Sequence, residues 1–447
     1  MHIDFLLESF EKNGQKNAIV WKNESHTYAH LHSKIIDIKR FCNENEISSG
    51  STVALEGDFT PTTISFLLAL TSINAIIVPL TKSNDLKRDE FLEISQTQHL
   101  IKIDDNDGFS LQSYPRDSNN EQYKVIRERN HPGLVLFSSG TSGEPKAAVH
   151  DFKLLLKKFE VSRPSLVTIN FLLFDHWGGL NTMLHILSNG GELVATKERS
   201  AEKICSLIEK YNVELLPSSP TFLNLLLLSN AYENYDLSSL KVISYGTEPM
   251  PESTLQRLRS KFPEVRLLQT YGLIELGVLR SKSKSNDSLW VKVGGDGYET
   301  RIIDGILQIK AESAMLGYLN APSPFTDDGW FITGDEVLEK DGYIRILGRK
   351  SEIINVGGEK VYPQEIENII LEIDNVLDVT VFSEDNAITG KIVCANISIK
   401  DLENPKAEIK NIKKYCRSKM KSYMVPVKVN ILESGHYNSR FKKKRVQ

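Results

Sequence analysis

Cysteine is scarce in this 447-residue chain, and its four copies, Cys42, Cys205, Cys394 and Cys416, are scattered without a close pair. That spacing excludes a disulfide framework or a cysteine zinc site and fits a reducing, cytoplasmic setting. An excess of charge of one sign is missing as well. The formal net charge is -4, so nothing global draws the chain to nucleic acid or to an acidic membrane. Long hydrophobic runs are absent. The most apolar region, 64–80, is interrupted by Ser65, Thr71, Ser72 and Asn74 and closed by Pro79. A buried helix followed by a strand is expected there rather than a membrane span. Residues 1–10 carry acids and no unbroken apolar stretch, so they do not read as a signal peptide. No internal repeat, low-complexity block or Walker-type G-x-x-x-x-G-K-[ST] loop occurs.

What is present is ordinary globular composition, 40% hydrophobic and 25% charged, in a chain too long for one core. Helix-like and strand-like segments alternate. Helices are expected over 65–70, 153–159 and 201–211, and strands over 75–78, 165–174, 213–216 and 240–244. Such alternation predicts an α/β core of mainly parallel sheets flanked by helices. After about Trp290 the texture changes to short strands at 291–293, 300–303 and 306–311, joined by Gly and Asp turns, which suits a small β-barrel. Beyond Gly348-Arg349-Lys350 come strands at 352–356, 376–382 and 392–399, with helices at 364–371 and 409–419. This predicts a smaller α+β C-terminal domain. The expected division is 1–348 and 349–447.

The strongest local signal runs from Leu134 to Phe137 and on through Ser138-Ser139-Gly140-Thr141-Ser142-Gly143-Glu144-Pro145-Lys146. An apolar strand enters small and hydroxyl residues, whose backbone N–H groups can converge on an anion, and a lysine adds a compact positive charge. A nucleoside triphosphate is the natural guest. This segment resembles the phosphate loop of the adenylate-forming superfamily, which includes acyl-CoA synthetases, peptide-synthetase adenylation domains and firefly luciferase.

The resemblance continues in order along the chain. Thr27-Tyr28-Ala29-His30-Leu31 and Val53-Ala54-Leu55 resemble N-terminal segments of the family. Tyr271-Gly272-Leu273-Ile274-Glu275 is similar to its Y-G-x-T-E, where the tyrosine packs on adenine and the glutamate helps hold magnesium, although Ile274 replaces the usual threonine. Gly329-Trp330-Phe331-Ile332-Thr333-Gly334-Asp335 matches G-W-F-x-T-G-D, which gives Asp335 the two ribose hydroxyls; a carboxylate is an acceptor-only group suited to that task. Arg349 matches an arginine that also reaches the nucleotide. Gly246, in Ser244-Tyr245-Gly246-Thr247-Glu248-Pro249, sits where the family turns against adenine. Gly357-Gly358 begins a run like the family's thiol-acceptor loop, which enters the site for thioester formation. Ser351, two after Arg349, falls at the hinge. In the C-terminal tail, Lys442 and Arg445 have the spacing of G-K-x-x-R, with Phe441 in place of glycine; a shifted register would select Lys443 or Lys444.

The resemblance implies an ATP- and Mg2+-dependent enzyme. It would activate a small carboxylic acid as its acyl-adenylate, release pyrophosphate, and pass the acyl group to coenzyme A or a pantetheinylated carrier protein. Lys442, Lys146 and Glu275 would carry the catalysis, with Glu275 as the metal ligand, and no nucleic-acid or membrane partner is implied. The acid pocket has two registers. His176, in His176-Trp177-Gly178-Gly179, matches the gate of acyl-CoA synthetases, whereas Asp175 matches the ammonium partner of amino-acid-activating domains. An amino-acid-activating enzyme and a nucleotide-binding homologue with impaired catalysis are therefore the rivals.

Overall fold

The computed structural model describes residues 2–139, 144–400 and 402–432. The apolar region near residue 70 forms a buried helix, Pro61–Ser72, then a buried strand, Ile76–Leu80. Thr60 starts that helix by accepting from the Thr63 N–H, and Pro61 fills the first turn, where a missing N–H costs nothing. Every residue of the helix is buried, so the run is core and not a span. Among the described residues no helix is long and apolar enough to cross a membrane. The helix Ala201–Tyr211 is capped by Ser200 and turns four buried residues, Ile204, Cys205, Leu207 and Ile208, inward.

Two seven-stranded sheets make the α/β body. In the first, the strands Arg266–Gln269, Val242–Tyr245, Leu215–Ser218, Val167–Asn170, Glu192–Ala195 and Asn17–Trp21 are all parallel, and Glu24–Thr27 closes one edge antiparallel. In the second, Gly133–Ser139, Ile76–Leu80, Thr52–Glu56 and His99–Ile103 are parallel, with antiparallel neighbours at both edges. The β-rich run expected over 165–174 is shorter. The strand ends at Asn170, and the chain then turns so that His176 can cap the next helix, Trp177–Ser188. Residues 153–159 likewise divide, into a one-turn helix Phe152–Leu156 and a 3-10 turn Lys157–Phe159.

The region expected as a small barrel is larger than its three legible strands. It is a seven-stranded antiparallel sheet that recruits Tyr271–Leu273 and Gly277–Ser283 before it and Phe331–Lys340 and Tyr343–Arg349 after it. The chain leaves this sheet at Arg349 through a 3-10 turn, Lys350–Glu352. A five-stranded sheet with the helices Pro363–Ile370 and Pro405–Lys419 follows and has its own core around Val379, Val381, Ala395 and Ile397. Side chains join this part to the body. Tyr362 Oη donates to Glu336 Oε1 at 2.7 Å, Gln364 Nε2 to the Pro249 carbonyl at 3.3 Å, and Asn224 Nδ2 to the Leu377 carbonyl at 3.0 Å.

Candidate active site

Two paired strands flank the glycine-rich segment. The strands Gly133–Ser139 and Pro145–Asp151 pair antiparallel, with Ser138 opposite Lys146 and Ser139 opposite Pro145. Gly140, Thr141, Ser142 and Gly143 lie outside the described residues, as do Phe441, Lys442 and Arg445.

Lys146 is held from outside its own hairpin. The strand Gly317–Tyr318 pairs with the lysine's strand, Tyr318 opposite Ala148. Asn320 then clamps the backbone on both sides of the lysine: its Oδ1 accepts from the Ala147 N–H at 3.0 Å, and its Nδ2 donates to the Pro145 carbonyl at 2.8 Å. The Lys146 ammonium stands 5.6 Å from the centre of the Tyr318 ring, within cation–π range. The Tyr318 hydroxyl donates to Glu275 Oε1 at 2.7 Å. Burial, then the nearby Glu275 carboxylate, pushes the Tyr318 phenol well up, so it stays a donor. The lysine of the phosphate loop and the glutamate expected to face magnesium therefore meet through one tyrosine. Sequence reading missed Tyr318 and Asn320. Tyr318 ends a two-residue strand and Asn320 lies just after it, a stretch too short for any periodic signal.

A second constellation joins Tyr271, Asp335 and Arg349. Asp335 and Arg349 are register partners on adjacent strands. The Tyr271 hydroxyl donates to Asp335 Oδ2 at 2.5 Å, and Arg349 Nε lies 3.5 Å from Oδ1. Thr333 Oγ1 accepts from the Asp335 N–H at 3.0 Å and donates to the Leu307 carbonyl at 2.7 Å, which fixes the turn. Asp335 is buried, and burial holds its carboxyl above the usual range against the opposing pull of Arg349 and Tyr271. The phenol of Tyr271 is pushed up by burial and then by Asp335. Each carboxylate oxygen keeps lone-pair capacity for a further donor, as a ribose diol would supply.

Gly246 stands next to this pair. A Cβ there would collide with Thr270 Oγ1 and lie 2.7 Å from the Thr270 carbonyl oxygen. Thr270 donates its N–H to the Tyr245 carbonyl at 2.8 Å, so the Gly246 turn is laced to the residue before Tyr271. Gly272 is similarly tight, 2.9 Å from the Gly277 carbonyl oxygen. Ile274, where the family pattern has threonine, packs against the cores on both sides of its loop.

On the side expected from the sequence for the acid, His176 Nδ1 accepts from the Gly178 N–H at 3.2 Å and caps the helix Trp177–Ser188. Asp175 is buried; Thr81 Oγ1 donates to its Oδ2 at 3.4 Å. Next to it, Arg199 lies 3.6 Å from Asp58. Asp175 thus belongs to a buried network, while His176 starts the helix that faces the Glu275 loop. Gly277, directly after that loop, approaches the Trp177 indole: a Cβ would stand 2.9 Å from Nε1. Gly357 and Gly358 are elsewhere. They sit exposed at a hairpin end with nothing within 4 Å of a would-be Cβ. Ser351 is exposed in the 3-10 turn after Arg349.

A family model described as AMP-binding enzyme matches residues 6–304, more than half of the chain, and one described as AMP-binding enzyme C-terminal domain matches residues 365–438. The chain belongs to the AMP-binding enzyme family. Among curated relatives of the chain, Acyl-CoA synthetase 7 of Caenorhabditis elegans is 29% identical over 329 residues, 66% of this chain. Indoleacetate–CoA ligase of Aromatoleum aromaticum is 28% identical over 330 residues, 68% of this chain. The chain spans 61% and 64% of the length of these two relatives. Among solved structures, the anthranilate CoA ligase AuaEII in complex with anthranoyl-AMP superposes with a TM-score of 0.82 at 18% identity, covering 99% of this chain and 95% of that one. The o-succinylbenzoate CoA synthetase of Bacillus subtilis, in complex with its acyl-adenylate, gives 0.77 at 18% identity, covering 98% and 96%. The fold of the AMP-binding family, with its second domain, is that of this chain.

Proposed function

We propose that this protein activates a carboxylic acid with ATP as an acyl-adenylate, releases pyrophosphate, and transfers the acyl group to the thiol of coenzyme A or of a pantetheinylated carrier protein. One observation carries the reading. Two constellations meet: a phosphate-side one, Lys146–Tyr318–Glu275, has Lys146 and Tyr318 on paired strands of the second α/β sheet, a ribose-side one, Tyr271–Asp335–Arg349, stands on the seven-stranded antiparallel sheet, and the short segment from Tyr271 to Glu275 ties the two together. A nucleotide spanning them would present its α-phosphate between Lys146 and Glu275, where the acid's carboxylate attacks in line. Such a reaction asks the protein mainly for positioning and for neutralising charge.

The residues fit magnesium brought in with the nucleotide. Among the described residues no three His, Cys, Asp or Glu side chains gather into a cage, and magnesium is commonly held by one or two carboxylates with phosphate oxygens and water. Glu275 is the carboxylate for it, and the metal would neutralise phosphate charge. Lys442 is the lysine assigned to bridge the acid and the α-phosphate, delivered by the C-terminal domain, 349–447, turning about Ser351. Gly357 and Gly358 would enter for the thiol step in the other orientation; their exposed position supports the reading that the present arrangement is not that orientation. The engagement of Asp175 with Thr81 supports His176 over Asp175 as the acid-side residue.

The test is acid-dependent pyrophosphate release with ATP and magnesium, scored across fatty, aryl, hydroxy and amino acids. AMP must appear in step with pyrophosphate. Formation of ADP, or tight ATP binding without turnover on any acid, would remove the reading. Turnover confined to amino acids would return the role to Asp175.

A further inference from the structure

Lys158 lies on the 3-10 turn after the helix Phe152–Leu156, half-buried between the helix that His176 caps and the strand that follows Glu275. Its ammonium donates to Asn181 Oδ1 on the helix and, at 2.8 Å, to the Val278 carbonyl on the strand. An ammonium has three hydrogens; beyond these two bonds it stands 5.1 Å from the centre of the Phe159 ring, a weaker partner than a carboxylate. Among the described residues no carboxylate reaches it. The charged groups that act on it are Arg163 and Arg280, both of its own sign. His185, one turn beyond Asn181 on the same helix face, feels Arg163 and Lys158 in turn. Arg163, Arg280 and His185, from three other segments, are therefore each within electrostatic reach of Lys158. The nearest relief is Asp296, which pairs with Arg280 at 2.8 Å but is 93% exposed.

Nothing in folding alone favours this. Burying a cation without a partner and adding like charges around it both cost free energy. Burial, then Arg163 and Arg280, pushes the Lys158 ammonium down to about 7. A bound anion would reverse both effects. Location says which anion. Trp177, Asn181 and His185 share one helix face, spaced four residues apart. That face lies on the Gly277–Ser283 strand, with the Trp177 indole against Gly277 at the Glu275 end. Asn181 is five residues from the gate residue His176 and His185 is nine, so along the helix the cluster lies roughly 7 to 13 Å beyond the gate, at about 1.5 Å per helical residue.

We infer that Lys158, with Asn181, Arg163, His185 and Arg280, receives a second anionic group at the far end of the substrate, so that the acid activated here is a dicarboxylic or otherwise anion-ended acid. This rests on the adenylation reading above and names the substrate class of that site. Lys158 is the specificity residue, because its ammonium hydrogen-bonds to both the helix and the strand. Arg163 and Arg280, both exposed, form the mouth.

The experiment needs first only the unaltered protein. Dicarboxylic acids of graded length, aliphatic and aromatic, are each compared with their own monoamide, which keeps one reactive carboxyl and the same shape. Pyrophosphate release gives kcat/KM for each. At least one diacid should exceed its monoamide by about tenfold or more, the scale of a charge-assisted hydrogen bond. For that pair, Lys158→Gln should erase the preference while leaving the monoamide nearly unchanged. Arg163→Gln, on the exposed rim, should lower it in the same direction by less. A scaffold role would reduce both substrates alike and leave their ratio standing. The inference is overturned if no diacid outruns its monoamide, or if the preference survives Lys158→Gln. Turnover of neutral acids with no diacid preference overturns it while leaving adenylation intact; absence of turnover on every acid is the separate failure of the adenylation reading.

Discussion

Tyr271→Phe isolates one bond. The substitution keeps the ring that would lie against adenine and removes only the hydroxyl that donates to Asp335 Oδ2 at 2.5 Å. A hydrogen bond to a charged group is worth about 1.5–3 kcal/mol, and more is at stake when the acceptor is left buried. Asp335 has little solvent to turn to, being 6% exposed, and its other close charge, Arg349, is 3.5 Å from the opposite oxygen. At about 1.4 kcal/mol per factor of ten, the KM for ATP should rise roughly ten- to a hundredfold with a smaller change in kcat. The pH dependence gives the sharper signature. Burial already holds the Asp335 carboxyl up, and the Tyr271 hydroxyl opposes that. Without it the carboxyl rises further, so the protonated form, which has lost acceptor capacity for a ribose hydroxyl, populates at higher pH. As pH falls, the ATP KM of the variant should begin to climb before that of the parent. Steady-state pyrophosphate release at varied ATP, from mildly alkaline to mildly acidic pH, reads both effects. A variant that loses unfolding stability but keeps the parental ATP KM at every pH would refute the argument, because the bond would then serve only the fold.

Three further outcomes follow from the same geometry and sequence. Lys442→Ala should cut adenylation by roughly two to three powers of ten and spare the reaction of a supplied acyl-adenylate with the thiol; Lys443→Ala and Lys444→Ala should be mild, and parental adenylation by Lys442→Ala would end that assignment. Ser351→Pro, which fixes φ in the turn after Arg349, should leave adenylation near normal and block thioester formation, whereas equal loss of both half-reactions would place the pivot elsewhere. Burial pushes the His150 imidazolium down to about 4 from an ordinary 6.5, so the unfolded chain binds the extra proton between those values. Stability is therefore complete above pH 6.5 and falls toward pH 4, by roughly 3 kcal/mol in all at about 1.4 kcal/mol per unit. Denaturant unfolding across that range should show a shallower slope for His150→Leu, and an unchanged slope would discount the group.

The parts of the site legible in the sequence are those fixed by local chemistry. Tyr271, Asp335 and Arg349 each sit in a short run whose glycines and aromatics declare a turn or a strand end, and the sheet then brings the three together. Periodicity also served where burial is one-sided, as in Ala201–Tyr211, and where it is total, as in Pro61–Ser72. What could not be read are side chains whose meaning lies in a distant strand. Tyr318 and Asn320 act on Lys146 from more than 170 residues away. Lys158 resembles any surface lysine until Asn181 and Val278 close on it. The 165–174 region was misread because its apolar letters continue past Asn170, although the neighbouring strand pairs only as far as Ala195.

The hairpin that carries Lys146 also sets what kinds of change this protein can accumulate. Outside its own tip the lysine's strand is pinned by the Asn320 clamp and by the pairing of Gly317 and Tyr318 with Val149 and Ala148. Those anchors are indifferent to the number of residues between Ser139 and Pro145. Lengthening or shortening the segment between them leaves the lysine where it is. Deleting one residue between Pro145 and Asp151 is a different event, because side chains alternate faces along a strand. A deletion between Lys146 and His150, which share a face, would put them on opposite faces, so that either the lysine or the buried imidazole loses its place. In an engineered library, changes of length between Ser139 and Pro145 should therefore leave the fold intact even where they impair phosphate binding, while the strand beyond accepts substitutions but not insertions or deletions.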